Sequence, residues 1–275
     1  MPFQHNLIFH RTPMKISQTR LILLTAVFFV LFDNYAFFSH VIEAFPVSQK
    51  NIGFLLSLTV GLTSCIVLLL SLVSSRHTTK PVLIFLLLLS SLVSYFMNNY
   101  NVVIDHVMIQ NVLQTDSNEA GDLFSLKLVY YFLLFGVLPA IFICRVRIQP
   151  DSWKKSIITK LVSISISALI VLAMVLLFNK FYISFFREHK PLRYYTNPTY
   201  YIYSFGKYIN RTFNNPEVVV QTLGTDAQIP ATDLDRELVI LVVGEAVRAD
   251  RLSLNGYLRE TTPGNKFTPW RSINR

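Results

Sequence analysis

Charge is scarce in this chain: 15% of its 275 side chains are Asp, Glu, Lys or Arg, against 52% hydrophobic residues and a mean hydropathy of +0.44. That balance excludes an intrinsically disordered chain and a single soluble globule. Cysteine is almost missing. The two that occur, Cys65 and Cys144, lie inside apolar runs, where they read as small buried hydrophobes rather than as a disulfide or a zinc site. Carboxylates are few beside bases, 16 against 25, which leaves a net charge of +9. Much of that excess flanks apolar runs, so it reads as a membrane orientation signal and not as a nucleic-acid surface.

What the chain has instead is long apolar sequence. Five runs, at residues 21–38, 52–73, 81–96, 126–144 and 157–178, approach the roughly 20 residues that cross about 30 Å of hydrocarbon. Each predicts a transmembrane helix, because lipid offers the backbone no hydrogen-bond partner. The first follows a basic leader without a small-residue cleavage site, and four more runs come after it, so it reads as a span and not as a removable signal peptide. Arg11, Lys15, Arg20, Arg76, Lys80, Arg145, Arg147, Lys154, Lys155 and Lys160 fall on one side of the five spans, ten cations against Lys50 and Lys127 in the short loops of the other. The positive-inside rule then places the amino terminus in the cytoplasm and everything after Phe178 outside.

Residues 181–208 hold eleven aromatics, seven of them tyrosine, set among Arg187, Lys190, Arg193 and Lys207. Such rings and long basic side chains suit a headgroup layer and predict interfacial helices on the outer face. Residues 209–235 are polar, with Asn214-Asn215-Pro216 and Ile229-Pro230 as breakers, and read as a bridge. Asp33 and Asn34 sit towards the outer end of the first span, where polar groups are costly and serve either packing or function.

After Asp235 the pattern changes. The β-branched run at 238–243 predicts a buried, parallel-type strand ending in Gly244-Glu245, and the next residues are compatible with a helix that Gly256 closes. Groups at the carboxyl end of such a strand line the cleft of α/β folds. Glu245 is thus a candidate metal ligand, with a helix-start carboxylate as the plainer alternative. A second patch lies at 108–120, where Asn111, Thr115 and Glu119 are spaced by four. On a helix they share an arc of about 80°, and an amide, a hydroxyl and a carboxylate on one stripe suit an ammonium headgroup and its phosphate.

The string from Leu241 to Pro263, with Gly-Glu, Arg, Asn-Gly-Tyr and Thr-Thr-Pro in register, resembles the opening of the catalytic domain of bacterial phosphoethanolamine transferases. Residues 111–120 resemble that family's Asn-Val-x-x-Thr-Asp-x-x-Glu-Ala signature. The resemblance implies an inner-membrane enzyme with five helices and a periplasmic, alkaline-phosphatase/sulfatase-like α/β domain. It also implies transfer of phosphoethanolamine from phosphatidylethanolamine to lipid A or a related envelope sugar, a modification linked to polymyxin resistance. Zinc would be the cofactor, with Glu245 as one ligand, and Asn111, Thr115 and Glu119 would bind substrate. The family often has threonine where this chain has Ala246.

The expected organisation is a cytoplasmic leader (1–20), a five-helix transmembrane domain (21–178), periplasmic interfacial helices and a bridge (179–235), and the opening of the sulfatase-like domain (236–275). The family's nucleophilic threonine belongs to a Cys-Gly-Thr-x-Thr-Ala motif that these 275 residues do not contain, so the expectation is an incomplete catalytic domain and an inactive chain. A lipoteichoic-acid-synthase-like glycerophosphate transferase and a non-catalytic, lipid-binding membrane fragment remain alternatives. Topology is directly testable. Reporter fusions should show cytoplasmic activity at Arg76 and periplasmic activity at Thr225, and the reverse pattern at either site would overturn the assigned orientation.

Overall fold

In hydrocarbon a chain satisfies its own backbone polar groups or not at all, and the apolar runs fold accordingly. The computed structural model describes residues 15–116, 120–121, 123–150, 152–214, 226 and 249–261. Two compact units divide near residue 217, and each is treated by itself. In the first, α1 (Gln18–Phe28) passes through a π-helical turn (Phe29–Asp33) into α2 (Tyr35–Ala44), followed by α3 (Ile52–Val73) and α4 (Thr79–Tyr100). A short α5 (His106–Gln114) precedes α6 (Leu126–Tyr131), a second π-helical turn (Phe132–Val137) and α7 (Leu138–Arg145). Then come α8 (Trp153–Leu177), α9 (Asn179–Glu188), a 3-10 turn (Lys190–Tyr195) and α10 (Thr199–Asn214). Among the described residues four helical stretches are long and apolar enough to cross a membrane, five if the bent pair α1–α2 counts as one span. The chain is a multi-pass membrane protein.

The first span is not the continuous helix that its hydropathy predicts. It bends by 61° at Asn34, whose backbone leaves the helical region at φ −113° and ψ 25°. Hydropathy cannot see the reason, which is a partner 163 residues away: Asn34 Nδ2 donates to the carbonyls of Phe29 at 2.9 Å and Asn197 at 2.6 Å, and Asn34 Oδ1 accepts from the Asn197 N–H at 2.8 Å. With its side chain so engaged, Asn34 cannot cap α2. The Ala36 N–H is met from α4 instead, by Asn98 Oδ1 at 3.0 Å.

Close approach fixes the second π-helical turn. A Cβ on Gly136 would lie 2.6 Å from Ser91 Oγ on α4, so no larger residue fits there without displacement. Phe29, Phe37, Phe54, Ile66, Leu83 and Leu87 form the fully buried apolar centre. The aromatic segment does more than lie on the surface. Phe181 stacks on Phe54 at 5.1 Å, Tyr182 meets the same ring edge-on at 5.4 Å, and Tyr182 and Phe185 are buried. Such ring pairs contribute about 0.5–1.5 kcal/mol each beyond their area. At the opposite end, Lys15–Ile16 pairs in parallel with Arg147–Ile148. There Lys160 Nζ donates to the carbonyls of Leu72 and Ser74 at 3.0 and 3.1 Å, and Lys80 Nζ to that of Cys144 at 3.1 Å. These cations satisfy the last carbonyls of α3 and α7.

The bend supplies a stability test. Asn34→Ala removes three hydrogen bonds and orphans the buried N–H and C=O of Asn197, which should cost about 2–4 kcal/mol. Leu31→Ala, on a side chain 63% exposed on the bundle surface, should stay within about 0.5 kcal/mol. Unfolding of both variants in detergent micelles checks the contrast.

Candidate functional site

The residues flagged at 111–119 fall on and after α5. Asp105 starts this helix: its Oδ1 accepts from the N–H groups of Val107 at 3.0 Å and Met108 at 2.8 Å, two of the donors a helix leaves orphaned at its start. Asn111 is exposed and Thr115 half-buried. The helix ends at Gln114, and Thr115 is extended at φ −63° and ψ 131°. Asn111 and Thr115 therefore do not share one uninterrupted helix as their spacing predicts. They remain adjacent, because the Thr115 N–H and hydroxyl both donate to the Asn111 carbonyl, at 2.8 and 2.7 Å. That double contact satisfies a terminal carbonyl from outside the helix. Glu119 lies outside the described residues.

One element, α10, holds α5 in place. The two helices pack together, and Arg211 Nη1 lies 2.5 Å from His106 Nε2. In that contact the guanidinium N–H is the donor, since arginine has no acceptor. On the same end of the bundle, Asn101 Oδ1 accepts from the Tyr195 hydroxyl at 3.1 Å and lies 3.0 Å from His40 Nε2, while His40 Nδ1 is 3.2 Å from Glu43 Oε2. Lys127 Nζ donates to Asn99 Oδ1. Amide oxygens, a carboxylate, a lysine and an arginine are thus gathered at this end of the bundle, groups of the kinds that accept from an ammonium and donate to a phosphate. The hydrogen bonds from Arg187 and Ser184 hold the Glu188 carboxyl below the usual carboxylate range. Burial pushes the Tyr182 and Tyr201 hydroxyls up from theirs.

Among the described residues no group of three or more His, Cys, Asp or Glu side chains is placed to hold a metal. Glu245 and the strand predicted at 238–243 lie outside the described residues. In the second unit, the expected helix beyond Ala246 is replaced over its described part by two 3-10 turns, Ala249–Arg251 and Ser253–Asn255, closed by Gly256 at φ 92°. Arg251 Nη1 donates to the Tyr257 hydroxyl at 2.9 Å and its guanidinium lies over the ring, while the Thr261 hydroxyl donates to the Arg251 carbonyl at 2.7 Å and accepts from the Ser253 N–H at 3.0 Å. Gly256, Tyr257 and Thr261 therefore contribute to a local clasp. Its left-handed turn is one that glycine adopts without steric cost.

The family model described as phosphoethanolamine transferase EptA/EptB matches residues 62–213, more than half of the chain. The chain belongs to that family. The match runs from within α3 to the end of α10 and includes Asn111, Thr115 and Glu119, and the glycerophosphate-transferase alternative gives way to it. The chain is 37% identical over 266 residues to phosphatidylethanolamine transferase Mcr-1 of Escherichia coli, covering 94% of this chain and 48% of that protein. It is 33% identical over 248 residues to phosphoethanolamine transferase EptA of Escherichia coli K12, covering 88% of this chain and 45% of that one. The structure of the integral membrane lipooligosaccharide phosphoethanolamine transferase A from Neisseria meningitidis superposes with a TM-score of 0.80 at 31% identity, over 91% of this chain and 47% of that chain. The chain thus spans about half the length of the relatives it matches.

Sequence reasoning missed Asn197 as the partner of Asn34, and Ser90, whose carbonyl accepts from Asn197 Nδ2; an Asn-Pro pair inside the aromatic segment is the one local signal. It also missed the tie between His106 and Arg211. The start of α5 can be probed alone. Asp105→Ala should cost about 1 kcal/mol of local helix stability, read as faster hydrogen exchange at Val107 and Met108 with α3 unchanged; equal exchange would show that the cap does not hold α5. Tyr201 gives a pH test. Its raised pKa favours the neutral form when folded, so its contribution is complete below about pH 10 and is lost as pH rises beyond it. Tyr201→Phe should therefore flatten the alkaline fall in melting temperature; an unchanged slope would contradict that.

Proposed function

We propose that this chain is the membrane half of a phosphoethanolamine transferase and that its rim around α5 receives the phosphoethanolamine headgroup of phosphatidylethanolamine. The family match across residues 62–213 carries the reading, and the geometry supports it: Asn111 and Thr115 sit together at the end of the bundle that also carries Lys127, Arg211 and the aromatic helices. Glu119 would supply the negative charge for the ammonium group. In this reading the amino terminus is cytoplasmic and the rim faces the periplasm across the inner membrane, as the ten-to-two distribution of Lys and Arg implies. The acceptor would be lipid A or a related envelope sugar, and modification of that surface would lower its affinity for polymyxin. Phospholipid and glycolipid are then the partners, with no role for nucleic acid. Zinc is the expected cofactor, with Glu245 as one ligand. The described residues assemble no zinc centre.

The chemistry assigned to this half is binding and orientation. Holding a lipid headgroup at a fixed rim converts an encounter between two membrane components into a positioned one. A chimera joining residues 1–275 to the second half of Mcr-1 provides the assay. In it Glu119→Ala should reduce diacylglycerol release from phosphatidylethanolamine about ten- to a hundredfold, the equivalent of losing a charge-assisted hydrogen bond of about 1.5–3 kcal/mol, with membrane insertion intact. Unchanged rates would remove Glu119 from the site.

A further inference from the structure

The headgroup reading leaves unused a second polar cluster, at the break in the first span. Asp33 is 2% exposed and Asn197 is fully buried, yet both carboxyl oxygens of Asp33 and Oδ1 of Asn197 have no hydrogen-bond partner among the described residues. These groups share one neighbourhood. Asn197 Nδ2 donates to the carbonyls of Ser90 at 3.0 Å and of Asp33 at 3.4 Å, and Ser90 Oγ lies 3.0 Å from the Tyr201 hydroxyl.

All three orphaned atoms are acceptors, or act as acceptors when the carboxyl is ionised. A buried carboxylate is strongly disfavoured without a positive partner, and no Lys, Arg or His among the described residues hydrogen-bonds to this one. We propose that the break in the first span is a binding site for a small monovalent cation of the sodium class, held by the Asp33 carboxylate and Asn197 Oδ1. The donor set is oxygen alone, which suits a hard cation and offers nothing to a soft one. One carboxylate neutralises one positive charge, whereas a divalent ion would leave an uncompensated charge inside the bundle. A broken helix within a membrane is also where unwound backbone offers carbonyls to such ions. The cation would join α1, α2, α4 and the segment leading into α10 at one point, and its loss would loosen that joint.

The test uses the purified 275-residue chain in detergent micelles, at constant ionic strength, with sodium exchanged for N-methyl-D-glucamine. A ligand that binds only the folded state raises its melting temperature by mass action. We expect a saturable rise of several degrees with sodium, absent in Asp33→Asn. Equal melting in both cations overturns the proposal, and so does a sodium effect that Asp33→Asn retains in full. A rise produced by lowering pH, with none from sodium, also overturns it, because the carboxyl then holds a proton instead. Should Asp33→Asn fail to fold, sodium NMR of the wild-type chain decides: displaceable line broadening equivalent to about one site per chain supports the site, and its absence contradicts it.

Discussion

Two buried asparagines hold each other across 163 residues of chain, and the upper half of the bundle depends on that pair. A helix that breaks inside a membrane must have its freed N–H and C=O groups met by other protein groups, because lipid meets none of them. Asn34 supplies both a donor and an acceptor to the backbone of Asn197. The pair therefore fixes where the first span turns and where the chain re-enters the bundle after its aromatic stretch. From there α10 runs to α5, where Arg211 meets His106 and Asp105 sets the first turn. The position of Asn111 and Thr115 follows from contacts that begin at the break.

The basic residues have two roles. Lys80 and Lys160 belong to the orientation signal, and the structure places their ammonium groups on the final carbonyls of α7 and α3. A cation at the end of a span can meet lipid headgroups and still complete the hydrogen bonding of a helix terminus. That double use explains why so little charge suffices here.

Much of the membrane fold was legible because hydropathy and charge asymmetry act locally. The spans at 52–73 and 126–144 fall almost where the helices do, and the charge pattern needs no tertiary information. The bend at Asn34 was not legible, since a polar residue in an apolar run is equally a packing or a functional signal until its partner is known. Thr115 shows the reverse error. Spacing by four puts it on the stripe of Asn111, but its extended backbone and the hydroxyl bond to the Asn111 carbonyl end the helix first. In the second unit, Asn255-Gly256-Tyr257 reads as a motif from sequence, whereas the structure explains it locally, through a left-handed glycine and a tyrosine under Arg251.

Family membership, the shared end of α5 and α10, and the mixed donors and acceptors at that end support one central proposal, that this end receives the headgroup of a donor lipid. Photo-cross-linking with a phosphatidylethanolamine that carries its reactive group on the headgroup, followed by peptide mapping, tests the proposal most directly. Label concentrated in residues 101–131, suppressed by excess unlabelled phosphatidylethanolamine but not by phosphatidylglycerol, is the predicted result. Label spread evenly along the lipid-facing surface of α8, or unaffected by the competing lipid, would contradict it.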